Sequence, residues 1–333
     1  MHTVEKIGGT SMSRFTELMD NILIGNRTPD QLYNRIFVVS AYGGITNMLL
    51  EHKKTGESGV YARFANAESE EAWVDALNQV QVRMQEINAE LFDGEFERNA
   101  ADNFVIERLN DVRECMKSLQ NLCSYGHFQL DEHLLKVREM LASIGEAHSA
   151  HNSVLALRAA GVNARFVDLT GWNNAEPVAF EEMVAKQFEG VDISSEMVIA
   201  TGYTHCEEGL MKTFDRGYSE MTFSMIATVT GAQEAIIHKE FHLSSADPML
   251  VGQENVVTIG RTNYDVADQL ANLGMEALHP RAGKGLRQSD LPLRIMNTFE
   301  PDHPGTLITN DYVSETPSVE IIAGRQNVYA LEI

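Results

Sequence analysis

Little in this sequence staples a fold covalently, ligates metal or crosses a membrane. Only three cysteines occur, Cys115, Cys123 and Cys206, with no pairing pattern and no pair of CxxC motifs. That excludes a disulfide scaffold and a zinc-ribbon type of site, and it reads as reduced thiols; no metal-ligating set is expected. No uncharged apolar run approaches the roughly 20 residues that a membrane span needs. MHTVEKIGG also lacks a basic region followed by an apolar stretch, so a cytoplasmic protein without a membrane partner is expected. Basic residues are scarce: 26 Lys and Arg stand against 48 Asp and Glu, a formal charge of −22. Such a surface repels nucleic acid, and no nucleic-acid partner is expected. An anionic substrate then requires a few lysines and arginines to converge on a negative body.

With 333 residues, 44% apolar and 22% charged, the chain can bury a large core. The first 50 residues read as strand, turn, helix, repeated once: a strand to Ile7, a helix from near Ser13, the strand RIFVVS, and a helix from about Thr46. RIFVVS is a continuous apolar run, as a parallel strand buried on both faces requires. From about 70 to 151 the pattern turns helical. Trp73, Leu77, Val80, Met84, Ile87 and Leu91 form one stripe, and Val105, Leu109, Val112, Met116 and Leu119 form another. FDGEFERNAADN reads as the polar connection of an antiparallel helical hairpin. Strands follow at ARFVDL, MVIATG, EAIIHK and PLRIMN, with loops near Asn174 to Pro177, Ala246 to Pro248 and Pro301 to Gly305. The expected fold class is α/β, a mostly parallel sheet sandwiched by helices and carrying a helical insertion.

Four segments carry chemistry. In EKIGGTSM, Lys6 precedes a turn in which Gly8 and Gly9 let backbone N–H groups approach an anion while Thr10 and Ser11 add hydroxyls. A helix starting just after it would aim its positive end at the same anion. A second turn, VVSAYGGITNML, holds Ser40, Gly43, Gly44, Thr46 and Asn47, and two such turns open on the same carboxyl edge of a parallel sheet. Glu146 stands almost opposite the stripe of Leu134, Val137, Leu141 and Ile144, which favours a solvated carboxylate. Gly145 beside it, unfavourable within a helix, points to a close approach, and Glu146 is a candidate for a substrate ammonium. In DRGYSE, Arg216, Gly217 and Ser219 precede a helix from Glu220, and arginine grips a carboxylate through two parallel hydrogen bonds.

Together these segments resemble the aspartate kinase family, whose catalytic domain has the amino-acid kinase fold. Its patterns KFGGTS, VVSAxGGxTNxL, a GE on a helix and GRGGSD are matched in order by KIGGTS, VVSAYGGITNML, SIGEAHS and DRGYSE. SSADP and LGMEALHP match later landmarks. The likeness covers about residues 1–310, and its detail is similar to the aspartate kinases associated with synthesis of the compatible solute ectoine. It implies that Lys6, Gly8, Gly9, Thr10 and Ser11 surround ATP phosphates, with Ser40, Gly43 and Gly44 nearby. It implies that Thr46, Glu146, Arg216, Gly217 and Ser219 hold L-aspartate and that Mg²⁺ accompanies ATP. Catalytic roles fall to Lys6, Glu220 and Lys239.

The chain departs from the family at Asp215, Tyr218 and Glu220 of the fourth motif. On the nucleotide side HKEFHLSSADPM replaces a pattern like TDVDGIYTADPR, and Glu276 stands where relatives carry lysine. His238 and Lys239, with Arg281, are the candidates for adenine-side and compensating contacts. Residues 311–333 resemble a linker and the start of an incomplete ACT module. Complete modules help form the dimer in relatives, so a homodimer is the assembly considered. A sensor that binds without turnover, and a kinase acting on glutamate, are the alternative readings.

Overall fold

Parallel strands need buried apolar runs joined by crossovers, and the N-terminal half supplies both. In this computed structural model β1 (Thr3–Ile7) and β2 (Arg35–Val39) pair in parallel, Lys6 opposite Val38, with β2 buried along its whole length. The structure describes residues 1–66, 69–172, 176, 178–214, 217–272, 278–316, 319 and 321–323. Further strands are β3 (Ala164–Val167), β4 (Met197–Thr201), β5 (Glu234–Lys239), β6 (Arg261–Asn263), β7 (Leu293–Asn297) and β8 (Thr306–Thr309). They form one eight-stranded sheet in the order β3-β4-β2-β1-β5-β7-β8-β6. Only β7 and β8 run antiparallel. Strand order reverses at β1, which lies between β2 and β5, and that reversal opens a crevice at the carboxyl ends of the three strands.

The two apolar stripes fold as the expected hairpin, Glu70–Leu91 against Glu95–Cys123. The connection is shorter than the sequence suggests: EFERNAADN belongs to the second helix, whose exposed first turns tolerate polar residues. A third helix, Asp131–Ala159, runs between the hairpin and strands β2, β3 and β4. Because it is covered from both sides, every residue from Leu141 to Ala150 is buried.

Other elements also differ from expectation. The first turn enters a four-residue helix, Gly9–Met12, followed by Phe15–Leu18 and a π-helical turn Met19–Leu23, instead of one helix from Ser13. The short strands β6 and β8 were not anticipated. Pro248 opens a short helix to Val251. The expected loop at 174–177 and the stretch 311–333 that resembles a linker and the start of an ACT module lie largely outside the described residues. Among the described residues no helix is long and apolar enough to cross a membrane.

Candidate functional site

The two glycine turns meet at the carboxyl edge of the sheet. A Cβ on Gly9 would stand 2.7 Å from Ala41 O, so only glycine permits this approach. Ser13 Oγ donates to Gly9 O (3.1 Å) and accepts from Gly43 N (2.8 Å), stitching one turn to the other. Ser40 is tied down through its backbone: its N–H donates to Ile7 O (3.1 Å), and its carbonyl accepts from Ser149 Oγ (2.8 Å). Gly44 has φ +87°, a left-handed conformation that favours glycine, and lies exposed at the start of the helix Ile45–Leu49, which carries Thr46. Thr10 is exposed at the first turn.

Lys6 projects from β1 with its side chain 13% exposed, and its Nζ lies 3.6 Å from Glu220 Oε1. Lys239, at the end of β5, faces the same side of the sheet, since Lys6 pairs with Ile237 two residues before it. Glu220 thus sits between two ammonium groups and also accepts a hydrogen bond from the His279 backbone N–H. Burial raises its pKa, but Lys6, Lys239 and that N–H outweigh burial and hold the carboxyl below its ordinary value. The three residues given catalytic roles from sequence therefore converge.

Glu146 is buried, 2% exposed, which corrects the expectation of a solvated carboxylate. Gly145 marks the reason, because a Cβ there would lie 2.8 Å from Ala41 Cβ and 3.1 Å from Ile45 Cγ2. The second glycine turn packs directly on this point of the helix. Ser219 Oγ donates to Glu146 Oε1 (2.6 Å), whereas Oε2 has no hydrogen-bond partner among the described residues. Burial pushes Glu146 up to about 8, with Ser219 and Lys6 acting in the opposite direction. Ser219 and Glu220 are neighbours in the first turn of the helix Tyr218–Val229, so one helix start touches Glu146 with one residue and Lys6 with the next. Gly217 caps that helix, and a Cβ on it would stand 2.6 Å from the His279 ring.

Two candidates turn elsewhere. Ser11 is fully buried, and its Oγ shares a hydrogen bond with Thr298 Oγ1 (3.0 Å), so its hydroxyl braces the fold. His238 faces the opposite side of the sheet from Lys6, with its Nε2 2.8 Å from Glu5 Oε2. Glu5 also binds Arg35 through Nε (2.7 Å) and Nη2 (3.1 Å), and Arg35 in turn donates to the carbonyls of Ile22 and Leu23. Buried as it is, Glu5 is held well below the usual carboxylate range by Arg35 and His238. Arg216 and Glu276 lie outside the described residues.

Sequence reasoning missed Gly202, Ser13 and Thr298. Gly202, at the end of β4, leaves room for Glu146: a Cβ there would be 3.0 Å from Oε2 and 2.8 Å from Val39 O. The only signal for it was a glycine closing the strand MVIATG. As a whole, the crevice presents two ammonium groups and glycine-rich backbone on one side, with a buried carboxylate on the other. Such a site suits a polyanion next to a cationic group.

The sequence model of the Amino acid kinase family matches residues 1–297. Aspartate kinase Ask_Ect of Stutzerimonas stutzeri is 68% identical over 333 residues, which are 100% of this chain and 70% of that protein. Aspartokinase 2, chloroplastic, of Arabidopsis thaliana is 28% identical over 99% of this chain and 58% of its own length. Among solved structures, E. coli aspartokinase III in complex with lysine and aspartate superposes with a TM-score of 0.67 at 19% identity, over 93% of this chain and 65% of that one. That likeness extends to the fold.

Proposed function

The chain belongs to the amino acid kinase family and, within it, to the aspartate kinases, and from that premise we propose that it transfers the γ-phosphate of ATP to the β-carboxylate of L-aspartate. The products are 4-phospho-L-aspartate and ADP. The single observation that carries this reading is the meeting of Lys6 and Glu146 through adjacent residues of one helix start.

In this reading Lys6, Lys239 and the backbone of Gly8 and Gly9 receive the phosphates, and Glu146 and Ser219 receive the amino acid's ammonium. Thr46 and Arg216 are assigned to aspartate as well, Arg216 to the α-carboxylate. The β-carboxylate needs no general base, since it is ionised at neutral pH. The work of the protein is therefore to align that carboxylate with the γ-phosphorus and to offset charge on the phosphoryl oxygens. Glu220 keeps two lysines close together that would otherwise repel.

Among the described residues no group of three or more His, Cys, Asp or Glu is placed to hold a metal. The site nevertheless fits Mg²⁺, which is held mostly by nucleotide phosphates and needs only one or two carboxylates; Glu220 is the carboxylate at hand. When bound there, Mg²⁺ neutralises phosphate charge. The same reading takes residues 1–310 as the catalytic domain, 311–333 as the start of an ACT module, and the protein as a cytoplasmic homodimer serving aspartate-derived amino acids and ectoine.

A hydroxylamine trap tests the proposal. Hydroxamate formed with ATP and aspartate but not with glutamate is the expected result; hydroxamate only with glutamate, or binding of aspartate and nucleotide without turnover, refutes it.

A further inference from the structure

Two carboxylates on one helix face hold two neighbouring parts of the chain, Glu139 the residues Tyr203, Met211 and Lys212 and Glu146 the residue Ser219. Glu139 and Glu146 are seven residues apart on Asp131–Ala159, hence two turns, about 10.5 Å, apart on the same face. Glu146 takes the Ser219 hydroxyl at 2.6 Å. Glu139, 4% exposed, accepts from the backbone N–H groups of Met211 (2.8 Å) and Lys212 (3.2 Å), and its other oxygen accepts from the Tyr203 hydroxyl. Tyr203 directly follows Gly202, the residue that leaves room for Glu146, and its ring meets Tyr218 edge to face at 5.6 Å. Tyr218 directly precedes Ser219. Gly209, at φ +71°, brings the chain so near that a Cβ would stand 3.1 Å from Glu139 Oε1.

A buried carboxyl group satisfied by three donors holds them firmly, because losing any leaves a buried polar atom short of a partner. We propose that Glu139 is a positioning residue for the amino-acid side of the cleft: by fixing Tyr203 and the start of the helix Leu210–Phe214, it sets where Ser219 meets Glu146. Glu139 touches no reactant itself. This inference rests on the cleft being an aspartate site.

Steady-state kinetics with both substrates, together with thermal melting, test it on the full chain and on Glu139→Ala, Glu139→Gln and Tyr203→Phe. Glu139→Ala should raise KM for aspartate roughly tenfold while KM for ATP stays within about twofold. Glu139→Gln keeps an oxygen for the two N–H groups and should recover part of the loss. An equal rise in both KM values, or a lowered melting temperature with unchanged KM for aspartate, overturns the proposal. If Glu139→Ala does not fold, Tyr203→Phe decides, since it removes one oxygen; an unchanged KM for aspartate then overturns it. A wild type that makes no hydroxamate from aspartate refutes the functional reading, whereas an active wild type with indifferent variants refutes only the role of Glu139.

Discussion

Glu146 gives a quantitative test of the cleft through its proton. With a pKa near 8, the carboxyl is in the ligand-free protein about 90% protonated at pH 7, one unit below that value. Only the ionised form attracts an ammonium, so binding an amino acid must expel the proton. Apparent affinity for aspartate should rise about tenfold from pH 7 to pH 9, equivalent to ~1.4 kcal/mol, and decline again where the amino acid's own ammonium loses its proton. Below pH 7 it should fall about tenfold per unit. The assay is KM for aspartate at saturating ATP across this range, paired with calorimetric titration in two buffers of different ionisation enthalpy to count released protons. A KM independent of pH, with no proton released, would refute the reasoning. The sign for stability is opposite. A carboxyl raised from 4.5 to about 8 binds its proton more tightly when folded, so its stabilising effect is full below 4.5 and is lost as pH rises through 8. Ligand-free wild type should therefore lose melting temperature across that window, and Glu146→Gln should lose less.

Lys6→Ala should reduce turnover by roughly two to three orders of magnitude with little change in melting temperature, because charge on the phosphoryl oxygens loses its nearest cation; near-normal kcat in a folded variant contradicts its role. Lys239→Glu places a second carboxylate beside Glu220 and should raise KM for ATP sharply while KM for aspartate moves less, as two-substrate kinetics will reveal. Gly145→Ala drives a methyl group to 2.8 Å from Ala41 and should destabilise by about 1–3 kcal/mol in denaturant unfolding; an unchanged midpoint means the turn does not press on the helix.

Much of the arrangement was legible because it follows from periodicity and from strand ends. The run RIFVVS and the glycine turns placed two crevice walls on one sheet edge, as β1 and β2 bear out. Glu146 was misread for an identifiable reason: an apolar stripe locates the buried face only when the opposite face meets water. Here both faces are covered, and the small residues of SIGEAHSAHNS were the available sign of an all-buried helix. His238 and Lys239 could not both face the cleft, since neighbours on a strand point to opposite sides. Which of Thr10 and Ser11 turns inward depends on Thr298, nearly 300 residues away, and no local pattern carries that. β6 and β8, with three and four residues, are too short for alternation to distinguish them from loops.

Glu5 and its partners beneath the sheet bear on how the protein finds its register. Sliding β1 by a single residue would bring Glu5 up into the crevice beside Glu220 and push Lys6 down against Arg35, cation on cation in a dry interior. Misaligned pairings of the first strand are thus penalised by electrostatics as well as by lost hydrophobic contact. The place of Lys6 in the crevice is written by the glutamate beside it, on the opposite face of the sheet.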